Sequence, residues 1–379
     1  MRRIISIITS SAASRILNIV LVFYLYSIST NLLAEFAQSF AIMQLSMMAF
    51  KFGGGPKVYR AAITSSENGL ISMNKHNYVL AACLIPLGIL FTFNVDYTLE
   101  ILAGYSMAFI STRSVFLVAR KTPTIGMALE FLIPAFCILC FVVIFNIFNF
   151  ALVLFLSSLP SLFTIIIFNF HMSGQFKVRN WTRKDFLSST QFTWIALTQQ
   201  LNTNFAILIF AYFFEPSMVA YLRITQTLVA PLLIVNSSFA TEFQRRYTLQ
   251  NFFIDNKFKI YFIFSSLAVL FIEVLIFYHW SLVEAWFGLE ALPSESLNFF
   301  LIFGVLNFIR ILFMFPDTAL IAHKREDLIS IIYFCTAVFC LFFGALAGYF
   351  SNLILTFVIL NCAPLIIAIA CYITQKRVN

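Results

Sequence analysis

The chain has 379 residues, of which 61% are hydrophobic and only 11% are charged, with a formal net charge of +8. Soluble domains carry about 25% charged residues, so this chain has too few charges to cover a water-facing surface of its size. At about 20 apolar residues per crossing, the hydrophobic residues suffice for roughly twelve membrane helices. The composition therefore excludes a soluble protein and predicts an all-α integral membrane protein.

Two further classes of protein are excluded by the pattern of residues. A transmembrane β-barrel requires segments of about 10 residues that alternate apolar and polar side chains, whereas residues 131–145 and 362–373 are apolar on every face. The basic residues sit in short clusters between apolar runs, so the positive charge does not indicate a nucleic-acid partner. No metal or other cofactor is expected, because Cys137 and Cys140 have no histidine in a position to complete a zinc site.

Apolar runs between polar breaks predict twelve membrane spans in two groups of six. They are about 4–27, 32–50, 77–95, 98–119, 125–147, 149–170, 188–213, 217–241, 258–279, 297–321, 328–349 and 351–373. The same pattern predicts an N-terminal lobe at 1–172, a cytoplasmic linker at 173–187 and a C-terminal lobe at 188–379.

The connections between spans predict the orientation, because lysine and arginine favour cytoplasmic loops. Apart from four arginines inside spans, the basic residues lie at the N-terminus, in the even-to-odd connections or at the C-terminus. The opposite connections carry acids, such as Glu35, Asp96 and Glu215. Both termini are therefore predicted to be cytoplasmic.

Several short segments stand out near the ends of the predicted spans. They are Asn202–Leu208, Tyr212–Pro216, Val219–Tyr221, Val283–Leu289, Ala322–Arg325, and Phe50–Gly53 with Arg60 beyond it. In these segments, and in the number, spacing and orientation of its spans, the whole chain resembles the polysaccharide-repeat (O-antigen) flippases. These Wzx-like proteins belong to the MATE-like MOP superfamily.

The resemblance implies a fold and a function. The fold would be two six-helix lobes around a cavity that opens alternately to each side. The function would be transport, without catalysis, of an undecaprenyl-diphosphate-linked oligosaccharide from the cytoplasmic to the periplasmic leaflet of a bacterial inner membrane, for O-antigen or capsule synthesis. Besides the substrate and membrane lipid, the implied partners are a polysaccharide polymerase and a chain-length regulator.

Charged side chains at bilayer depth are costly, by about 2.5 to 3.5 kcal/mol on insertion scales, so they usually face a cavity or a partner. Those well inside the predicted spans are Arg15, Arg113, Arg223, Arg310, Glu130, Glu273 and Asp317. Guanidinium stays charged and can hold phosphate oxygens with paired hydrogen bonds. Arg15 and Arg310, with help from Arg223, are therefore predicted to line a basic cavity that receives the diphosphate, and Arg113 is a further candidate.

Two alternatives to this hypothesis stay open. Arg15 and Arg310 would have structural roles if each pairs with one of the three acids inside spans. Arg113 and Arg223 lie near the ends of their spans, from which their side chains can extend towards the membrane surface.

Polar residues of the first and seventh spans are candidates for sugar contacts. Ser11, Ser14, Arg15 and Asn18 have the spacing of one α-helical face, and so do Gln199, Asn202 and Thr203. Ser11, Asn18, Gln199 and Asn202 are therefore predicted to line the cavity, with hydrogen bonding between helices as the alternative.

The acidic residues of the chain bear on ion coupling and on two alternative functions. Asp317, Glu130 and Glu273 are the candidates for coupling transport to a cation, whereas Asn204–Ala206 stands where many relatives have an acid. A membrane polymerase or glycosyltransferase is disfavoured, because no external acid/base pair is evident. A cation-coupled exporter of small molecules is the stronger alternative, but four arginines against three acids at depth favour an anionic substrate.

Overall fold

The computed structural model describes residues 2–92, 96–119, 122–172, 182–250, 256–279, 281, 294–313, 315–322 and 325–378. Helices account for almost all of these residues. In the first half of the chain they are α1 (Arg2–Ile28), α2 (Thr30–Lys51), α3 (Gly54–Thr64), α4 (Ser66–Thr92), α5 (Thr98–Ala119), α6 (Pro123–Met127), π1 (Ala128–Leu132), α7 (Ile133–Leu139), π2 (Cys140–Ile144) and α8 (Phe150–Met172). In the second half they are α9 (Arg183–Thr198), π3 (Leu201–Phe205), α10 (Ala206–Phe213), α11 (Pro216–Gln250), α12 (Asn256–Tyr278), α13 (Ser294–Leu312), α14 (Pro316–Ala322), α15 (Glu326–Tyr349) and α16 (Leu353–Val378).

The helices coincide with the predicted spans, and the all-α prediction is confirmed. In the described part of the chain, eight helices are long and apolar enough to cross a membrane. Three shorter apolar helices, Ala12–Ile28, Leu201–Phe213 and Asn298–Leu312, coincide with the first, seventh and tenth predicted spans. The third predicted span corresponds to α4, which carries polar residues in its first turns.

The helices extend beyond the predicted spans on the side predicted to be cytoplasmic. The region between the second and third spans was predicted to be a connection, but α3 occupies most of it and α4 begins at Ser66. The helix α9 begins at Arg183, within the predicted linker, whereas residues 173–181 lie outside the described part. The linker at 173–187 stays a prediction. Hydropathy marks the apolar core of a span, whereas these helices continue as polar turns.

Three spans are not regular α-helices. The fifth contains the two π-helical segments π1 and π2. The seventh is interrupted by a turn at residues 199–200, which π3 follows. The tenth is broken between α13 and α14, where Phe315 has a φ of 58° and Pro316 opens the second piece. Such irregular segments free backbone groups and often occur at functional sites.

Contacts divide the chain into two compact units. Unit 1 comprises Met1–Ser14 and Ser39–Leu197, and unit 2 comprises Arg15–Gln38 and Thr198–Asn379. The helices α1 and α2 are therefore each shared between the units, and α9 belongs to unit 1. The lobes at 1–172 and 188–379 remain a prediction.

A polar junction attaches α9 to the other helices of unit 1. The first turn of α9 is capped from both sides, since Thr182 N donates to Asp185 Oδ2 at 3.1 Å and Asp185 N to Thr182 Oγ1 at 3.2 Å. Lys75 of α4 donates to the same Asp185 carboxylate at 2.9 Å. Lys57 of α3 donates to the Asp185 carbonyl at 2.5 Å and to Ser189 Oγ at 2.8 Å. These bonds explain why α9 packs with the N-terminal helices.

Substitution Asp185→Asn is expected to lower the stability of unit 1 by about 1 kcal/mol, because the Lys75 charge loses its partner. Partial burial alone would raise the pKa of Asp185, but hydrogen bonds from Lys75 and Thr182 outweigh it and hold the pKa well below 3.8. The depressed pKa contributes stability above pH 3.8, which is lost as the pH falls towards the folded value.

Thermal unfolding of detergent-solubilised wild type and variant measures this effect. The difference in melting temperature should be present at neutral pH and shrink once the pH falls below 3.8. Asp327→Asn is the matched control, since Asp327 is an exposed acid in the first turn of α15. Equal losses in the two variants would contradict the role of the junction.

Candidate functional site

The first group of candidate residues lies on α1, which is continuous from Arg2 to Ile28. The predicted shared face of Ser11, Ser14, Arg15 and Asn18 is therefore consistent with the helix. Arg15 is exposed, Asn18 is half-buried and Ser14 is buried. The Ser11 side chain lies outside the described part of the structure.

Arg223 lies on α11, inside unit 2 with Arg15. Its side chain is buried, with 6% of its surface exposed, and its guanidinium carbon lies 5.9 Å from the centre of the Phe36 ring. The positive charge of Arg15 is close enough to act on Arg223. Arg223 is therefore packed inside unit 2, with a second positive charge nearby, and its predicted extension towards the membrane surface stays a prediction.

Arg310 lies at the break of the tenth span. It occupies the last turn of α13, and Asp317 occupies the first turn of α14. Each charge therefore lies at the helix end whose dipole favours it. Arg310 is half-buried, and its charge reaches Tyr333 of α15.

Tyr333 connects two candidate residues that are distant in sequence. Gln199 Nε2 donates to Tyr333 Oη at 3.4 Å, and Tyr333 Oη donates to Asp317 Oδ2 at 3.0 Å. We call Gln199, Tyr333, Asp317 and Arg310 the Tyr333 cluster. It joins the interruption of the seventh span to the break of the tenth, so that its polar groups gather where the helices of unit 2 are irregular.

The three acids inside spans have partners other than Arg15 and Arg310. Glu130 accepts hydrogen bonds from Ser111 and Ser114 and lies 3.7 Å from Lys51. Asp317 accepts from Tyr333.

Glu273 of α12 accepts from the backbone N–H of Leu232 at 3.1 Å. That N–H follows Pro231, which lies inside α11, so Glu273 supports a proline-containing turn. Together with the partners of Glu130 and Asp317, this contact means that ion pairing of these acids with Arg15 or Arg310 is wrong for the described residues. In that part of the chain, Arg15 and Arg310 form no salt bridge at all.

Arg113 differs from the other arginines because its partners are local and belong to unit 1. Its guanidinium donates to Asn77 Oδ1 at 2.7 Å and to the Phe109 carbonyl at 3.0 Å, and it lies over the Phe109 ring. Only 5% of the residue is exposed. Whether Arg113 extends towards the membrane surface stays a prediction, and its contacts favour a structural role.

The predicted helical face of Gln199, Asn202 and Thr203 is wrong. A turn at residues 199–200 and the π-helical geometry of π3 replace the regular α-helix that this spacing requires. Gln199 is exposed and reaches Tyr333, whereas Asn202 is buried. The amide of Gln226 donates to the carbonyls of Asn202 and Thr203, at 3.3 and 3.1 Å, and so stabilises π3 from α11.

Two residues of this region were not identified from the sequence. Tyr333 and Gln226 lie in apolar or mixed spans and have no neighbouring motif. The available signal in each case was a polar residue inside a predicted span.

Comparisons with known proteins identify the fold. No known family pattern matches the chain, and no curated protein matches it in sequence. Among solved structures, an outward-facing multidrug resistance MATE family transporter of the MOP superfamily has a TM-score of 0.67 at 13% identity, covering 99% of this chain and 94% of that chain.

Two further solved structures extend this comparison. A mutant of the Vibrio cholerae MATE transporter VcmN has a TM-score of 0.65 at 12% identity, covering 100% of this chain and 96% of that chain. A MOP superfamily transporter from Pyrococcus furiosus has a TM-score of 0.64 at 12% identity, covering 99% and 95%. The latter is described as having a binding pocket of reversed polarity that suggests a different function.

The chain therefore has the MATE fold, an all-α membrane architecture of twelve helices in two lobes. The predicted fold class is confirmed. The three solved structures named above are described as transporters of the MATE family or the MOP superfamily.

Proposed function

We propose that the chain is a flippase that moves an undecaprenyl-diphosphate-linked oligosaccharide, an O-antigen or capsule repeat unit, from the cytoplasmic to the periplasmic leaflet of a bacterial inner membrane. The MATE fold supports transport by alternating access. A polysaccharide polymerase and a chain-length regulator would act on the delivered units.

The absence of an acidic partner for Arg15 and Arg310 among the described residues carries this proposal. A cation inside a membrane span without a counter-charge is unfavourable unless a ligand supplies the charge. A diphosphate supplies two or more negative charges and accepts the paired hydrogen bonds that guanidinium donates. Arg15, Arg223 and Arg310 all belong to unit 2, and the nearby charges of Arg15 and Arg223 would be stabilised by the same anion.

The sugar portion of the substrate would meet polar side chains of the same unit. Asn18 is half-buried and Gln199 is exposed, so both have surface available for hydrogen bonds to hydroxyl groups. Asn202 is buried and supports π3 through its carbonyl. We therefore propose Asn18 and Gln199 as the stronger candidates for sugar contacts, and Asn202 as the weaker one.

The second candidate function is cation-coupled export of small molecules. The multidrug transporters with the same fold favour it, and the hydrogen-bonded carboxylate of Asp317 offers a position for cation coupling. Arg15 and Arg310, which form no salt bridge among the described residues, weigh against a cationic substrate.

The sidedness of lipid-linked repeat units in a deletion strain tests the proposal, using a membrane-impermeant glycan label on intact spheroplasts. We expect the units to accumulate on the cytoplasmic side, surface polysaccharide to be lost, and the wild-type chain to restore both. Normal labelling and normal surface polysaccharide would contradict the flippase and favour the exporter. Periplasmic accumulation of unpolymerised units would instead indicate a polymerase.

A further inference from the structure

Unit 2 contains a strained residue at the break in the tenth span. Phe315 lies between α13 and α14 with a φ of 58°, a left-handed conformation that bulky side chains rarely adopt. It also precedes Pro316, and a residue before proline favours extended backbone. Such a conformation persists only where surrounding contacts hold it, and residues of this kind are concentrated at functional sites. The contacts of Phe315 therefore indicate what the strain achieves.

Four buried rings of α11 and α12 hold the Phe315 side chain. Its ring centre lies 4.6 Å from that of Phe262 and 6.1 Å from that of Phe243. Phe239 contacts Phe262 at 5.3 Å, and Phe258 contacts Phe243 at 6.5 Å. We call Phe239, Phe243, Phe258 and Phe262 the phenylalanine pocket. Burial of the Phe315 ring in this pocket, together with the attraction between aromatic rings, offsets the unfavourable backbone.

The phenylalanine pocket fixes where α14 begins. The carbonyl oxygen of Phe315 accepts the first hydrogen bond of this helix, from the N–H of Ala319 at 3.0 Å. The side chain of the same residue is held by α11 and α12, so the N-terminus of α14 is held there too. Asp317 lies two residues further on, and its carboxylate accepts a hydrogen bond from Tyr333 of α15. The direction of the Asp317 side chain therefore depends on the placement of the Phe315 ring.

The break also separates Asp317 from Arg310. In a continuous helix, residues seven apart lie on the same face, about 10 Å apart along the axis. An arginine side chain is long enough to cover most of this distance. In the structure, however, α13 ends and α14 begins between the two residues, and no salt bridge joins them. Opposite charges that are close in sequence are therefore kept apart.

We infer that Phe315 is a positioning residue, which holds Asp317 on Tyr333 and thereby keeps this carboxylate from neutralising Arg310. Arg310 then retains its charge and its hydrogen-bond donors for an anionic ligand. This role rests on the proposed function, in which that ligand is the diphosphate of the lipid-linked oligosaccharide. A carboxylate paired with Arg310 would compete with the diphosphate for the same donors.

Binding of undecaprenyl diphosphate to the purified full chain in detergent tests this role. Phe315→Ala removes the ring and leaves alanine in an unfavourable left-handed conformation, so the turn should relax and Asp317 should pair with Arg310. We expect the affinity to fall by about 10-fold or more, as for the loss of one charge-assisted hydrogen-bonding group. Adding Asp317→Asn to Phe315→Ala should restore most of the affinity, because the amide carries no negative charge. A general packing defect would not be repaired in this way.

Phe299→Ala is the matched control, since Phe299 is a fully buried ring of α13 that stacks on Phe357 at 4.3 Å. This variant should lose stability and keep its affinity. Phe315→Leu retains most of the buried apolar surface, so it provides a better-folding variant with a smaller loss that Asp317→Asn should again restore. Undiminished affinity in Phe315→Ala would overturn the inference, and so would a loss that Asp317→Asn does not restore.

A thermal-unfolding cycle tests the inference without any ligand. The shifts in melting temperature caused by Arg310→Ala and Asp317→Asn should depart further from additivity in the Phe315→Ala background than in wild type, because paired side chains are coupled. Equal departures in the two backgrounds would overturn the inference. If wild type does not bind undecaprenyl diphosphate but the cycle shows the expected difference, the flippase proposal is wrong and the role of Phe315 in separating the two charges stands.

Discussion

Replacing Arg15 or Arg310 with alanine is expected to weaken binding of the lipid diphosphate by about 10- to 100-fold, because each loses charge-assisted hydrogen bonds worth about 1.5 to 3 kcal/mol. The double variant should have no measurable flippase activity. Both arginines are expected to bind the diphosphate because neither forms a salt bridge with an acid in the described part of the chain. Reconstituted vesicles that contain the lipid-linked oligosaccharide, with an impermeant label outside, measure the effect.

Arg183→Ala is the control for removing one positive charge, since Arg183 is exposed at the start of α9. Lysine at position 15 or 310 should restore part of the activity, because it keeps the charge but loses the paired geometry. Wild-type rates in both alanine variants at equal protein levels would disprove the basic site. Undiminished efflux of cationic compounds by the same variants would identify the exporter.

Replacing Gly53 with alanine is expected to destabilise unit 1 by about 2 to 5 kcal/mol, which is a large part of the stability of a typical domain. Gly53 has a φ of 67°, a conformation that costs other residues about 1 to 2 kcal/mol. A Cβ there would lie 2.5 Å from the Ser189 carbonyl oxygen and 2.8 Å from Phe192 Cβ. Such overpacking adds about 1 to 3 kcal/mol.

Gly55→Ala is a close control, because a Cβ at Gly55 has no neighbour within 4 Å. Alanine is also favoured over glycine inside a helix by about 0.5 to 1 kcal/mol, so this variant should match or exceed wild type. The yield of folded protein from membranes and the melting temperature in detergent measure both variants. Equal melting temperatures would contradict the close approach of α9 to Gly53.

The membrane helices were predictable because burial in lipid requires long apolar segments, which a single sequence displays directly. Gly53 was recognised within the segment Phe50–Gly53, and the structure gives the physical reason for a glycine there. The sequence also places Arg15 and Arg310 inside predicted spans, and their depth in the membrane stays a prediction. These are properties that one residue and its immediate neighbours determine.

Partners that are distant in sequence were not predictable. Ser111 and Ser114 meet Glu130 only because α5 packs against the fifth span, and Gln199 meets Asp317 only through Tyr333. The π-helical segments were also missed, since an apolar run has the same hydropathy in either helical form. The end of one helix before Pro316 and the start of the next at this residue were also not predicted.

Several segments used in the sequence analysis lie outside the described residues, so what the sequence predicts for them stays a prediction. They are Val283–Leu289, most of the linker before α9, and His323 and Lys324. The predicted cytoplasmic location of both termini likewise awaits a topology measurement.

The break in the tenth span also constrains how the chain is made. At about 1.5 Å per residue, the 7 residues of α14 extend only about 10 Å, a third of the hydrocarbon thickness. Backbone groups at the break cannot face lipid unpaired, and α14 packs against α11, α15 and α16. The break in the tenth span is therefore fully covered by neighbouring helices, and kept from lipid, only after the last helix has been synthesised and inserted. A nascent chain stopped before Leu353 would present an unsheltered break to the membrane and become a target for quality-control proteases.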